Sequence, residues 1–133
     1  DYPWQRIRAH QNFVKENQKL VCIRGDTKNP ITVQKTIIAL RNRPIDFLFI
    51  DGDHSLFGVL NDYVRYSPLV REGGIIAFHD INPTDVTGKK NNPEMDVGGV
   101  PKLWEFINDS GYPTEEYIAE LDQKGYGLGI LYK

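Results

Sequence analysis

Three short runs hold the groups able to do chemistry. They are Gly25, Asp26 and Thr27; Asp51, Gly52, Asp53 and His54; and His79 with Asp80. Each follows a β-type stretch: LVCIR at 20–24, IDFLFI at 45–50 and the apolar residues 75–78. In an open α/β sheet, functional groups lie beyond the carboxyl ends of the strands. Neighbouring strands would bring Asp51 and Asp80 together. Two carboxylates ~4 Å apart repel by about 4 kcal/mol at an effective dielectric of about 20. A shared proton, a basic partner or a divalent cation must offset that. Oxygen ligands with an open position suit Mg²⁺, Ca²⁺ or Mn²⁺, and a His ligand tilts the choice towards Mn²⁺ or Fe²⁺. His54 stands at the mouth of the same site, and the ordinary imidazole pKa of ~6.5 suits a general base. The alternative is that His54 merely caps or precedes the helix starting near Ser55.

Other polar and glycine positions carry plainer readings. Asp26 is an Asx-turn candidate after a strand. Asp53 faces solvent or caps the next helix. Gly73 and Gly74 mark a turn before a strand. Gly98 and Gly99 either cradle a ligand at a helix N-terminus or end a flexible loop. Tyr126, Gly127, Leu128 and Gly129 resemble half a GxGxxG motif, but in a strand rather than a strand-to-helix turn, and are set aside. Trp4 and Trp104, at helical spacing, read as core.

The elements that must position these groups alternate. Pro3, Trp4, Ile7 and Val14 predict a first helix. A strand over 20–24 follows. Asn29 and Pro30 open a helix with Val33, Ile37 and Leu40 on one face. IDFLFI, apolar at five of six positions, predicts a strand buried on both faces. Ser55 opens a helix with Leu56, Val59, Leu60, Tyr63 and Val64 on its apolar side. A turn at 71–74 leads into a buried strand at 75–78. The polar stretch 81–97 reads as a long functional loop. Pro101 begins a helix with Leu103, Trp104 and Ile107 inward. Residues 115–121 and 126–132 form a terminal strand pair around 122–125. The reading is one α/β domain over 1–133, its sheet mostly parallel with an antiparallel C-terminal strand and helices on both faces. A chain of 133 residues supports one such core.

Composition removes several function classes. Hydrophobic residues are 40% and charged residues 26%, which argues against disorder. The net charge is −2 with Lys and Arg scattered, so no electrostatic nucleic-acid binding is expected. No apolar run reaches the ~20 residues of a membrane helix. The lone Cys22 excludes an intrachain disulfide and a CxxC zinc site. A cytoplasmic location is the expectation.

The run IDFLFIDGDHSLFGVLNDYVRYSPLVREGGIIAFHDI at 45–81 resembles the class I S-adenosylmethionine-dependent methyltransferases. More narrowly, it is similar to the branch labelled cephalosporin hydroxylase or rhamnosyl O-methyltransferase. The likeness runs from about Leu20 to Trp104, through IRGDT, FIDGDH, FHDI and VGGVPKLWEFI. It implies a Rossmann-like methyltransferase sheet. Asp26 matches the acidic position that contacts the adenine amino group, with Gly25 and Thr27 shaping that pocket. Asp51 matches the acidic end of the fourth strand, beside the methionine part of S-adenosylmethionine, and in metal-dependent members also binds Mg²⁺. Asp80, with His79 before it, matches the pair completing the metal site, although His79 replaces the usual acidic residue. His54 occupies the position of a lysine general base. The implied reaction is metal-assisted in-line methyl transfer to a hydroxyl of a sugar or other small molecule, with the 81–97 loop selecting the acceptor.

The family also carries a Gly-rich loop after its first strand and an acidic residue ending its second. Neither is in this sequence, and the chain opens on a helix where a right-handed crossover needs a strand. The expectation is a C-terminal portion of a longer enzyme, with its first strands upstream of Asp1, binding cofactor weakly or not at all alone. A sheet lacking strands exposes an edge that a homo-oligomer could cover. Two other classes stay open: a metal-dependent hydrolase using Asp51, His54, His79 and Asp80, and a non-catalytic α/β interaction module.

Overall fold

The computed structural model describes residues 10–83, 97–120 and 125–133. The expected first helix, the 84–96 part of the long loop and the 122–124 turn thus fall wholly or mostly outside the described residues. The elements in chain order are α1 (Pro30–Leu40), β1 (Ile45–Ile50), α2 (Leu56–Tyr66), β2 (Val70–His79), α3 (Val100–Asp109), β3 (Thr114–Tyr117) and β4 (Leu128–Tyr132). The four strands form one sheet in the order β1-β2-β4-β3. β1 and β2 are parallel, while β4 runs antiparallel to both β2 and β3. This is the α/β sheet with a reversed C-terminal strand that the alternation predicted.

Local chemistry explains the helix starts. The Asn29 side chain accepts from the Ile31 N–H at 2.9 Å, with Pro30 in the first turn. The Ser55 hydroxyl accepts from the Gly58 N–H at 3.0 Å. Pro101 sits in the first turn of α3. α1 ends on Arg41 in the left-handed region (φ 53), its N–H bonded to the Ile38 carbonyl.

The core lies on one face of the sheet. Ile50, Ile76, Phe78 and Leu131 point from the strands into Val59 of α2 and Leu103, Trp104 and Ile107 of α3. The Phe78 ring packs against Tyr63 and Trp104 at centroid distances of 5.7 and 5.8 Å. Gly129 is required here, because a Cβ would stand 2.7 Å from the Trp104 ring. α2 and α3 touch each other across this face, whereas α1 makes only sparse contacts.

Four local expectations need correction. Residues 20–24 form no strand. They lack a ladder partner, and Leu20 and Val21 are exposed. IDFLFI is a strand, but it is not buried on both faces: Phe47 is 56% and Phe49 47% exposed. The 71–74 turn lies inside β2 rather than before it. It is an irregularity in the ladder between the pairs Ile45–Val70 and Phe47–Ile75, with Gly73 at φ 70. On α2, Leu56, Leu60 and Val64 are exposed, and Val59, Asp62 and Tyr66 form the buried side.

Candidate active site

Parallel pairing sets Ile50 opposite Phe78, so β1 and β2 end side by side. Asp51 and Asp80 therefore leave the sheet at neighbouring points, as their positions after the strands predicted. Asp80 is 7% exposed and has a left-handed backbone, φ 65. Asp tolerates that conformation better than most residues. Its N–H bonds to the Gly127 carbonyl at 2.9 Å, and that of Asn82 to the Tyr126 carbonyl at 2.9 Å. The start of β4 thus fixes the exit from β2.

Four side chains converge there. His54 Nε2 is 3.5 Å from an Asp51 oxygen, and His54 Nδ1 is 3.4 Å from an Asp80 oxygen. His79 Nδ1 is 3.4 Å from Asp51 and 3.1 Å from Asp80. The His79 nitrogen is buried, and neither carboxylate meets it with hydrogen-bond geometry. Ligand atoms of Asp51, His54 and Asp80 lie within 4.8 Å of one another. The carboxylate and imidazole donors of that group fit a divalent cation, and the unsatisfied nitrogen of His79 stands beside it, 3.4 Å from Asp51 and 3.1 Å from Asp80.

Gly98 and Gly99 hold His54 in place, a role neither sequence reading of the pair contained. The Gly99 N–H donates to the His54 carbonyl at 2.7 Å. A Cβ on Gly98, whose φ is 61, would fall 2.1 Å from that carbonyl oxygen. Only glycine lets the two loops approach so closely.

Of the 25–27 run, Thr27 reaches a cavity beside the cluster. Thr27 and Asp51 line a space of about 430 Å³ with Leu48, Phe49, Asp62 and Tyr66. Asp26 is largely exposed, and its carboxylate accepts from the Lys28 N–H at 2.9 Å. That is the Asx-type turn of the plainer reading. Gly25 packs on Thr32, whose hydroxyl would be 2.4 Å from an added Cβ. Lys28 reaches Asp53 at 2.8 Å, and Asp53 accepts from the Ser55 N–H at 3.0 Å. The Lys28 ammonium, with help from Ser55, holds Asp53 well below the usual carboxylate range. The same pairing raises the lysine.

Sequence reasoning missed Asp62. Burial pushes its carboxyl above the ordinary range, and one of its oxygens is buried without a partner. The signal was present: Asp62 falls three residues after the buried Val59 and four before the buried Tyr66.

An α/β sheet with an acidic and imidazole cluster beyond its parallel strand ends, beside a half-apolar cavity, defines a class of ligand-binding and group-transfer domains. Within that class the family is specific. Residues 3–81, more than half of the chain, match the methyltransferase domain family, and the chain belongs to it.

A 36-residue stretch, 27% of this chain and 16% of the relative, is 53% identical to an uncharacterized protein of Acanthamoeba polyphaga mimivirus. Among solved structures, an O-methyltransferase family protein from Burkholderia thailandensis is similar at a TM-score of 0.48 and 14% identity, over 77% of this chain and 40% of that one. MycE methyltransferase from the mycinamycin biosynthetic pathway, solved with Mg and SAH, is similar at 0.46 and 18%, over 84% and 32%. The chain thus spans well under half the length of these proteins. Among the described residues, no helix is long and apolar enough to cross a membrane.

Proposed function

We propose that this protein serves S-adenosylmethionine-dependent methyl transfer to a hydroxyl of a small molecule, a sugar among the candidates, assisted by a divalent cation such as Mg²⁺. The observation that carries the reading is the convergence of Asp51, His54, His79 and Asp80 in a chain of the methyltransferase family. The narrower likeness to the cephalosporin hydroxylase or rhamnosyl O-methyltransferase branch belongs to the same proposal.

Asp51, His79 and Asp80 would hold the cation. The buried, unsatisfied nitrogen of His79 supports its place in the set. A bound cation lowers the pKa of a hydroxyl next to it. His54, one-third exposed at the mouth, takes the acceptor proton, and the carboxylates facing its ring stabilise the imidazolium that results. The 430 Å³ cavity beside Thr27 and Asp51 takes the cofactor. The acceptor occupies a space of about 610 Å³ bordered by Asn82, Lys102, Glu105, Asn108 and Glu116, which follows directly from the exit of β2. Gly25 and Asp26 belong to the rim of the cofactor cavity in this reading.

Calorimetric titration of S-adenosylhomocysteine into the full native protein, with and without Mg²⁺, tests the proposal. Micromolar binding is expected. No binding under either condition would reject the reading and leave the hydrolase and interaction-module alternatives.

A further inference from the structure

Residues 25–28 have no regular secondary structure, yet α2 grips them from two successive turns. The Tyr66 hydroxyl donates to the Thr27 carbonyl at 3.2 Å. Thr27, Asp62 and Tyr66 line one cavity, and the nearby Thr27 side chain partly offsets the effect of burial on the Asp62 carboxyl. Asp62 and Tyr66 are four residues apart, so they rise on the same helical face. Both are more than nine-tenths buried. The same carboxylate also meets the opposite wall: a Cβ on Gly52 would lie 3.2 Å from its Oδ2. Asp62 therefore spans the base of the cavity, from Thr27 to the residue following Asp51.

An acidic side chain is a poor choice for a helix face that needs only to pack. Leu at 62 would bury apolar area without desolvating a charge. Asp62 keeps one oxygen unpartnered and still occupies the buried stripe. Such a residue holds something in place at a cost in packing. We propose that Asp62 is a positioning residue for the cofactor: together with Tyr66 it clamps Thr27, so that residues 25–28 stand as one wall of the cofactor cavity. This rests on the reading of that cavity as the cofactor site.

The test uses the full native protein and its Asp62→Leu, Asp62→Asn, Thr27→Val and Tyr66→Phe variants, with S-adenosylhomocysteine as probe. Asp62→Leu is expected to weaken binding about tenfold, as loss of a polar contact with a charged group implies. Asp62→Asn keeps an acceptor for Thr27 and stays close to native affinity. Combining Asp62→Leu with Thr27→Val adds nothing to either change alone, because both remove one contact. Hydrogen exchange supplies a readout without ligand: amides 26–28 exchange faster in Asp62→Leu, while those of β2 do not change. Should Asp62→Leu fail to fold, Thr27→Val and Tyr66→Phe carry the same expectations. Native binding that Asp62→Leu and Thr27→Val leave unchanged, with exchange at 26–28 also unchanged, overturns the clamp alone. A native protein that binds no S-adenosylhomocysteine overturns the cofactor reading and this inference with it.

Discussion

The two flanks of the sheet are held by different forces. On the flank of β2 and β4, Phe78, Leu131, Trp104 and Ile107 are all less than 5% exposed, beneath two helices that touch each other. On the flank of β1, Phe47 and Phe49 are about half exposed, and Ile31 and Ile38 of α1 are 64% and 66% exposed. His79 and Asp80 grow out of the first flank and are placed by packing. Residues 25–28 belong to the second and are placed by polar contacts to Asp53, Asp62 and Tyr66. The proposed cation corner thus takes His79 and Asp80 from the packed flank and Asp51 from the end of β1, whereas the proposed cofactor wall stands on polar contacts.

Substitutions on the two flanks sharpen this contrast most strongly. Trp104→Ala is expected to cost about 3–5 kcal/mol in urea unfolding, as for other large buried aromatics. Phe49→Ala is expected to cost less than about 1 kcal/mol, since much of its surface stays in water. Equal costs would break the comparison. Gly98→Ala comes next, at about 1–3 kcal/mol, from a left-handed backbone and a clash with the His54 carbonyl. It should also lower methyl transfer, because the loop carrying His54 must move.

The third expectation concerns pH. Burial raises the Asp62 carboxyl, so between the ordinary value of ~3.9 and its raised value the folded state binds more protons than the unfolded one. The resulting stability is fully present below the ordinary value and lost as pH rises through the folded value. Melting temperatures of the native protein relative to Asp62→Asn should therefore be highest near pH 4 and decline towards neutrality. A difference that stays flat with pH would contradict the burial of a titrating acid. The smallest effect belongs to Lys28→Met. Its ion pair with Asp53 is exposed, so the change in melting temperature should be slight and should fade with added salt.

The packed flank was the more legible in sequence. The periodicity of α3 put Leu103, Trp104 and Ile107 inward, and the cap at Ser55 marked α2. The cation corner was legible for a related reason: Asp51 and Asp80 directly follow β-type runs, and parallel pairing aligns the ends of such runs. The open flank was not. LVCIR has strand propensity, but a strand exists only with a ladder partner, and the structure pairs β1 with β2 alone among the described residues. Nothing in the spacing told that Gly98 and Gly99 would dock on His54, since that contact joins residues 44 positions apart. Asp62 was overlooked because its helix was read for apolar positions only.

The most direct test is a paramagnetic resonance titration of Mn²⁺ into the full native protein, its Asp80→Asn and His79→Ala variants, and His54→Gln. Saturable binding of a single ion is expected, weakened about tenfold or more by the first two changes, as loss of a ligand implies. His54→Gln should retain the ion and lose methyl transfer, since its part is to take a proton. Absence of saturable Mn²⁺ binding, or equal binding by native protein and Asp80→Asn, would contradict a cation site at the ends of β1 and β2.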